Sequence, residues 1–323
     1  MKVQRDSRAL LCVWIALVIG GLGGVRPAWA DDAAGTTTQH EFVSDAVIEA
    51  GEVGTILDRA GDNTAILDVR DALAYRSGHM PGAVRVDVGE WKRLSLRGEA
   101  GLSNAEAWHE RIGSLGIDGD DTVLVYGDGS MTAAARVWFI LQHFGVREIR
   151  VINGGFPMIE AAIRRAELPG RLARSTGTVE PQAVVFEPER SGSGAVGSVG
   201  TRELRDAIDA GEVDVLDART PEEFRGEDAR SNDRSGHLPS AINVPHERLL
   251  DERGRLRPAD ELAAILEEAG FVRGEPVVTH FQSGGRASLA ALAAERAGFG
   301  PVINYYLSFG AWSADATCTV VGP

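Results

Sequence analysis

A Gly-rich turn in the last quarter of the chain holds the residues best suited to chemistry. It follows the apolar stretch 277–279 and reads His280, Phe281, Gln282, Ser283, Gly284, Gly285 and Arg286. A turn of this kind between a strand and a helix aims backbone N–H groups at an anion, and glycine lets the backbone turn inward. We therefore expect residues 282–286 to form an anion-binding loop. Arg286 would contact such an anion; the alternative is a solvated arginine at a helix start.

The chain contains an internal duplication that places this turn in its second half. An Asp-x-Arg triplet followed by Ser-Gly-His-x-Pro-x-Ala begins at Asp68 and again at Asp217, with a longer intervening loop in the second copy. So many matched positions in the same order indicate a repeated unit. Its period is the size of a domain rather than of a solenoid repeat.

Each copy alternates short apolar stretches with segments of helical periodicity. The sequence predicts strands at 123–126 and 277–279 and helices at 133–144, 258–269 and 287–297. This alternation is typical of a parallel sheet that is covered on both faces. The predicted fold class is α/β, with two domains at 41–167 and 198–316, each a small parallel sheet flanked by helices on both faces. A linker at 168–197, rich in Gly and Ser near its end, joins them.

With both copies in view, the chain resembles the tandem-domain rhodaneses, the thiosulfate and 3-mercaptopyruvate sulfurtransferases, over about residues 41–314. The resemblance rests on the two Asp-x-Arg triplets, the two Gly-His-x-Pro turns, the segment 151–156 and the loop ending at Arg286. It implies two rhodanese-like domains, of which the second carries a six-residue loop that starts with the catalytic cysteine. The family's thiolate takes a sulfane sulfur from a donor as a persulfide and passes it to a second nucleophile.

The chain departs from this pattern at Phe281, which stands where the resemblance implies the cysteine. A phenyl ring has no lone pair and no ionisable group with which to hold a persulfide. The matching position in the first copy is Gly127, and neither Ser130 nor Ser283 has an evident base in the sequence. The sequence therefore predicts a binding or regulatory pseudoenzyme. The alternatives are an active sulfurtransferase that moves sulfane sulfur from thiosulfate or mercaptopyruvate to a thiophilic acceptor through an unrecognised thiol such as Cys318, and a pure scaffold.

The role of Phe281 itself stays open between two interpretations. In the first, the ring fills the space inside the loop as a plug and completes the core. In the second, the ring forms an apolar surface beneath an anion that the amides and Arg286 hold. We favour the plug, because a bulky ring should fill the space that a sulfur atom would occupy.

Three further residues are expected to support the loop, namely Asp217, Arg219 and His237. Asp217 and Arg219 are interpreted mainly as a buried ion pair that fixes the end of a strand, because the first copy keeps the same pair without a nucleophile beside it. His237, like His79, is interpreted as a hydrogen-bond partner within its own turn.

The composition and charge of the chain disfavour some classes of partner and cofactor. The net charge is −14 and the sequence has no basic cluster in its body, so nucleic acid is an improbable partner. The histidines are scattered and no metal-ligand spacing occurs, so we expect no metal or other cofactor. A small sulfur-containing anion is the expected ligand, with a protein partner as a further possibility.

Residues 1–30 read as a cleaved signal peptide. A positive start at Lys2, Arg5 and Arg8 precedes an apolar run, and Ala28-Trp29-Ala30 gives a small-x-small cleavage site. Cleavage would leave Cys318 as the single cysteine, which excludes an intramolecular disulfide. Export by a Gram-negative bacterium would place the mature chain in the periplasm, without membrane attachment.

Overall fold

A computed structural model of the chain describes residues 46–97, 101–169, 172, 174–188 and 196–322. The predicted signal peptide and the Gly/Ser stretch at 191–195 lie outside these residues. Among the helices of the described part, none has both the length and the apolar character needed to cross a bilayer.

Two five-stranded parallel sheets form the framework, one in each half of the chain. The strands are β1 Val47–Ile48, β2 Thr64–Asp68, β3 Val84–Arg85, β4 Thr122–Tyr126, β5 Glu148–Ile152, β6 Val196–Ser198, β7 Asp214–Asp217, β8 Ala241–Asn243, β9 Val277–His280 and β10 Val302–Asn304. The strand orders are β1-β5-β4-β2-β3 and β6-β10-β9-β7-β8. The second sheet therefore repeats the first strand for strand, which confirms the predicted fold class.

Helices cover both faces of each sheet. They are α1 Val53–Ala60, α2 Ala72–Ser77, α3 Val88–Ser95, α4 Ala105–Gly113, α5 Thr132–His143, α6 Gly155–Arg164, α7 Thr201–Ala210, α8 Pro221–Arg225, α9 Ala259–Ala269, α10 Gly284–Arg296 and α11 Ser308–Ala314, with 3₁₀ turns at Ala50–Glu52 and His246–Leu249. The central strands β4 and β9 are buried along their whole length, as expected for the inner strands of a parallel sheet between two helical layers.

The linker region differs in part from its prediction. Residues 196 and 197, assigned to the linker, belong to β6 and pair with β10. Within 174–188, Ser175 exchanges backbone hydrogen bonds with His79, Val184 donates to Gly113, and Phe186 is buried. This stretch therefore lies along the first domain instead of crossing directly to the second.

The two domains share one apolar core. Helix α5 of the first domain packs along α10 of the second. A single cluster of buried side chains includes Trp138 and Phe139 from one domain and Phe281, Leu289 and Tyr306 from the other. The opposite face of each sheet has a smaller cluster of its own. The loop that begins at Phe281 consequently lies where both domains meet.

Candidate functional site

Phe281 follows β9 directly and is fixed by its backbone to the start of α11. Its N–H donates to Ser308 Oγ at 3.3 Å, and its carbonyl accepts from the N–H of Phe309 at 2.8 Å. The residue is only 5% exposed and belongs to the shared apolar cluster. The loop thus begins with a ring that is packed into the core.

Arg286 returns from the first turn of α10 to cover this ring. Its guanidinium carbon lies 4.3 Å from the centroid of the Phe281 ring, within cation–π distance. Among the described residues, no carboxylate pairs with Arg286, which is half-buried. His246 meets the same ring edge-on at 5.8 Å. Burial lowers the pKa of His246, and the charge of Arg286 lowers it further against an opposing effect of Glu247, so the site favours a neutral imidazole beside a cation.

Gln282 and Ser283 are held differently. The Gln282 carboxamide exchanges two hydrogen bonds with the carboxamide of Asn232, one of them at 2.9 Å. Asn232 belongs to the extra residues of the second copy, between its Asp-x-Arg triplet and its Gly-His-x-Pro turn. That longer loop was the only sequence signal for Asn232. Ser283 precedes α10 in extended conformation, and its side chain makes no capping hydrogen bond.

The two glycines of the loop are needed for close packing. A Cβ on Gly284 would lie 2.2 Å from the ring of Tyr306, and one on Gly285 would lie 2.7 Å from Arg136 Nη2. Both glycines sit inside the helix, so α10 begins three residues before the predicted start at 287. The sequence predicted a Gly-rich turn before the helix, whereas in the structure both glycines have helical backbone that packs against the first domain.

Asp217 and Arg219 form the expected buried pair behind the loop. Arg219 Nη2 lies 2.6 Å from Asp217 Oδ2 and also donates to the carbonyl of Gly236 at 2.8 Å. His280 Nε2 lies 3.3 Å from the same carboxylate oxygen. Burial would raise the pKa of Asp217, but the charge and hydrogen bonds of His280 and Arg219 outweigh it and hold that pKa well below the usual range.

The first domain repeats this arrangement, with Arg70 bound to Asp68 and to the carbonyl of Gly78. Tyr126 ends β4 there as His280 ends β9. Because the pair occurs in both copies, and in the first copy without a histidine, its common task is to join the strand end to the following Gly-His turn.

His237 is held against α8, the helix that precedes its turn. Its Nδ1 lies 2.9 Å from the carbonyl oxygen of Phe224, and the two rings stack at 3.9 Å. His79 makes the same two contacts with Tyr75, at 2.9 Å and 4.1 Å. The geometry favours turn stabilisation over a catalytic role for both histidines.

The matching loop of the first domain contains a buried Met131 whose sulfur accepts a hydrogen bond from the N–H of Gly154 at 3.3 Å. Gly127 accepts from the N–H of Phe156 at 2.9 Å, as Phe281 does from Phe309. In the described part of the chain, neither histidine nor carboxylate hydrogen-bonds the hydroxyl of Ser130 or Ser283. Neither serine is therefore arranged as an activated nucleophile.

Cys318 lies in a different cluster from Phe281. It is 2% exposed and packs among side chains of the far face of the second sheet. Burial raises the pKa of its thiol, with a further contribution from Asp315. The described residues also contain no group of three or more His, Cys, Asp or Glu placed to hold a metal ion.

Comparisons with known proteins identify relatives over most of the chain. The model of the family described as "Rhodanese-like domain" matches residues 51–162 and 201–315. SseB of Mycobacterium tuberculosis, whose name proposes a thiosulfate sulfurtransferase, is 32% identical over 84% of this chain and 95% of its own length. A 3-mercaptopyruvate sulfurtransferase of Escherichia coli is 30% identical over 75% of this chain and 82% of its own.

Solved structures give the same result. The crystal structure of SseA from Escherichia coli, a 3-mercaptopyruvate sulfotransferase, superimposes with a TM-score of 0.66 at 25% identity and covers 83% of this chain and all of its own. An anaerobic ergothioneine biosynthesis enzyme from Chlorobium limicola shares the fold, with a TM-score of 0.71 at 22% identity over 86% of this chain and 70% of its own.

Proposed function

This chain belongs to the family of rhodanese-like domain proteins, and from that premise we propose that it is a tandem rhodanese that has lost sulfur transfer and serves as a binding or regulatory module. The observation that carries the proposal is the ring of Phe281. It is buried at the end of the central strand β9 and covered by the Arg286 guanidinium at 4.3 Å. A persulfide needs a sulfur atom at the start of this loop, and the ring occupies that place.

The surroundings of the ring still suit an anion. Arg286 has no acidic partner in the described chain, and it stands in the first turn of α10, a 13-residue helix whose dipole also favours negative charge. A small sulfur oxyanion matches this charge. The names of the relatives refer to thiosulfate and mercaptopyruvate, which makes these anions the first to test.

The decisive assay is thiosulfate:cyanide sulfur transfer with purified mature protein. We expect no turnover above that of a Phe281→Ala variant, because neither protein has a nucleophile in the loop. Turnover well above that variant contradicts the proposal. Calorimetric titration with thiosulfate, sulfite, sulfate and mercaptopyruvate separates an anion-binding module from a pure scaffold, which would bind none of them.

Sulfur transfer through Cys318 is the competing function, and its surroundings disfavour it. A thiol with a raised pKa and 2% exposure supplies little thiolate near neutral pH and no open path to a donor. Mass spectrometry after incubation with thiosulfate tests this alternative, since a gain of one sulfur atom on Cys318 would support it.

We further propose that the chain is exported and cleaved after Ala30, so that the mature protein begins at Asp31 in the periplasm. N-terminal sequencing of protein from the periplasmic fraction tests this. Recovery of the chain with Met1 from the cytoplasm would contradict it.

A further inference from the structure

The second domain extends a short hairpin, residues 249–257, towards the first domain. An antiparallel bridge joins Leu250 to Leu256 across the hairpin. Within its turn, the carboxylate of Asp251 accepts from the N–H of Arg255 at 2.9 Å and pairs with the Arg255 guanidinium at 2.7 Å. The hairpin is therefore held in shape by its own hydrogen bonds.

The tip of this hairpin lies on the loop of the first domain, residues 127–132. Gly254 has a φ of 74°, and a Cβ added there would lie 3.0 Å from the carbonyl oxygen of Gly129. Beside it, Arg255 Cγ is 2.8 Å from the position that a Cβ on Gly154 would take. Backbone meets backbone at this place, so the hairpin covers the first-domain loop closely.

Asn153, which directly follows β5, fastens the hairpin to the first domain. It is 1% exposed, and its carboxamide accepts from the N–H of Leu256 at 2.8 Å and donates to the carbonyl of Leu256 at 3.0 Å. The same carboxamide donates to Glu49 at 2.8 Å. Glu49 in turn lies 3.9 Å from Arg255 and 3.6 Å from Arg296, both of the second domain. Asn153 thus pairs with Leu256 as the backbone of a neighbouring strand would.

The other end of the hairpin continues into the surroundings of Phe281. The 3₁₀ turn His246–Leu249 leads directly into the hairpin and packs against α10. Leu249 is fully buried, and its carbonyl accepts from the N–H of Arg257 at 3.1 Å, which joins the turn to the hairpin. The ring of His246 meets the ring of Phe281 at 5.8 Å. One continuous segment therefore touches the first-domain loop at one end and the Phe281 ring at the other.

We propose that the loop of the first domain is a docking site for the 249–257 hairpin of the second, and that Asn153 thereby positions His246 against the Phe281 ring. The two backbone groups of Leu256 that Asn153 binds are buried, so leaving them without a partner would be costly. The first-domain loop, which has no nucleophile of its own, holds a segment of this chain. This assignment goes beyond the proposed function and does not depend on what the Phe281 loop binds.

The substitution that tests the proposal is Asn153→Ala in the full mature chain, with two measurements. The first is hydrogen exchange of the hairpin amides, which should become about tenfold faster because two buried hydrogen bonds that oppose local opening are lost.

The second measurement is the pKa of His246, followed by NMR, with His246→Gln identifying its resonance. Burial lowers this pKa, and the charges that act on the imidazole are those of Glu247, Arg286 and Glu223. The substitution changes none of these charges. We therefore expect the pKa of His246 to rise in Asn153→Ala, because a released segment exposes the imidazole to water and moves it away from Arg286.

Ser95→Ala is the matched control. Ser95 is fully buried, and its hydroxyl bonds that of Tyr306 across the same domain boundary at 2.8 Å, but it belongs to α3 and not to the hairpin. Ser95→Ala should leave both hairpin exchange and the pKa of His246 at their wild-type values. An equal rise of that pKa in Ser95→Ala would show a general loosening of the two domains and overturn the positioning role of Asn153.

Wild-type hairpin exchange and a wild-type pKa of His246 in Asn153→Ala would also show the proposal to be wrong. If Asn153→Ala does not fold by circular dichroism, Gly254→Ala replaces it. Its methyl group, 3.0 Å from the Gly129 carbonyl oxygen, pushes the half-buried tip of the hairpin off the loop without changing any charge. The expected changes have the same direction, and their absence in that variant overturns the proposal equally.

Discussion

At the end of β9 the Phe281 ring and the Arg286 guanidinium share one small space, and the two interactions differ in strength. Burying a phenylalanine side chain contributes about 1.5–3 kcal/mol to folding. A cation–π contact at a partly desolvated site contributes about 0.5–2 kcal/mol. Phe281 is therefore fixed mainly by the core, whereas Arg286 is free to exchange part of its contact with the ring for an anion.

Restoring a thiol at this position tests whether the surroundings of the loop are intact. In Phe281→Cys we expect a reactive cysteine whose pKa lies below the value of about 8.5 for a free thiol, because Arg286 and the first turn of α10 stabilise the thiolate. The measurement is the rate of iodoacetamide alkylation as a function of pH.

Cys318 is the internal control for that experiment. Its pKa is raised by burial, so the wild-type chain should react slowly and mainly at high pH. A Cys318→Ser background isolates the new thiol. Alkylation of Phe281→Cys with the pH profile of an ordinary free thiol would mean that the loop no longer stabilises an anion.

Asp217 should be among the costliest polar residues to replace. Asp217→Asn leaves the buried Arg219 without its counter-ion, and breaking a buried pair in this way costs about 3–5 kcal/mol. Urea unfolding of the variant measures the loss. Glu227→Gln is the control, since it removes an exposed partner of Arg225 and should leave the midpoint almost unchanged. Equal effects of the two substitutions would contradict a structural role for the buried pair.

The same carboxylate predicts an acid dependence of stability. Its pKa is lower in the folded than in the unfolded chain, so the unfolded state takes up the proton first and stability falls as pH falls. The contribution is complete above about pH 5 and declines below it. The difference in unfolding free energy between wild type and Asp217→Asn should therefore be largest at neutral pH and shrink as the pH falls from about 5 to about 3 and below. A difference in unfolding free energy that stays constant over this range would disprove the assignment.

The site residues that the sequence could predict are those whose role is local. Gln282 to Arg286 and the Asp217–Arg219 pair follow from a strand, a turn and a helix start adjacent in the chain. Tyr306 could not be predicted, because its hydroxyl meets an arginine that lies 170 positions away. Such contacts depend on how two domains dock, and no local pattern encodes them.

At the scale of elements, the start of α10 shows where prediction from local sequence fails. Two consecutive glycines normally predict a turn, yet here they begin the helix. The ring of Tyr306 leaves no room for a side chain at Gly284, which accounts for the glycine there. By contrast, the strands β4 and β9 and the helix α5 lie within one residue of their predicted ends, since continuous apolar runs and helical periodicity depend only on local sequence.

Gly284→Ala tests this packing. A methyl group 2.2 Å from the Tyr306 ring must displace the ring or the helix, and such overpacking costs about 1–3 kcal/mol. Gly51→Ala is the control, because no atom lies within 4 Å of its added Cβ. The measurement is thermal unfolding of both variants. If Gly284→Ala is as stable as Gly51→Ala, the Tyr306 ring moves aside at little cost and the close packing does not require glycine.

At the scale of the whole molecule, the shared cluster makes the two domains dependent on each other. Phe139 of α5 is fully buried and stacks on Tyr306 at 5.5 Å, and neither surface could be exposed to water without losing apolar contact. The duplication was visible in the sequence, but this docking was not. The consequence is that the pair of domains should unfold as one unit.

Phe139→Ala is the substitution that measures this coupling. Truncating a buried phenylalanine lowers the free energy of unfolding by about 3–5 kcal/mol. Both domains should be destabilised by this amount, although the residue belongs to the first. Tryptophan fluorescence reports mainly on the first domain through Trp91, Trp108 and Trp138, and hydrogen exchange of β9 and α10 reports on the second. We expect both probes to give one coincident transition, shifted together by the substitution. A shift confined to the fluorescence transition would mean that the second domain, with its Phe281 loop, keeps its structure without the first.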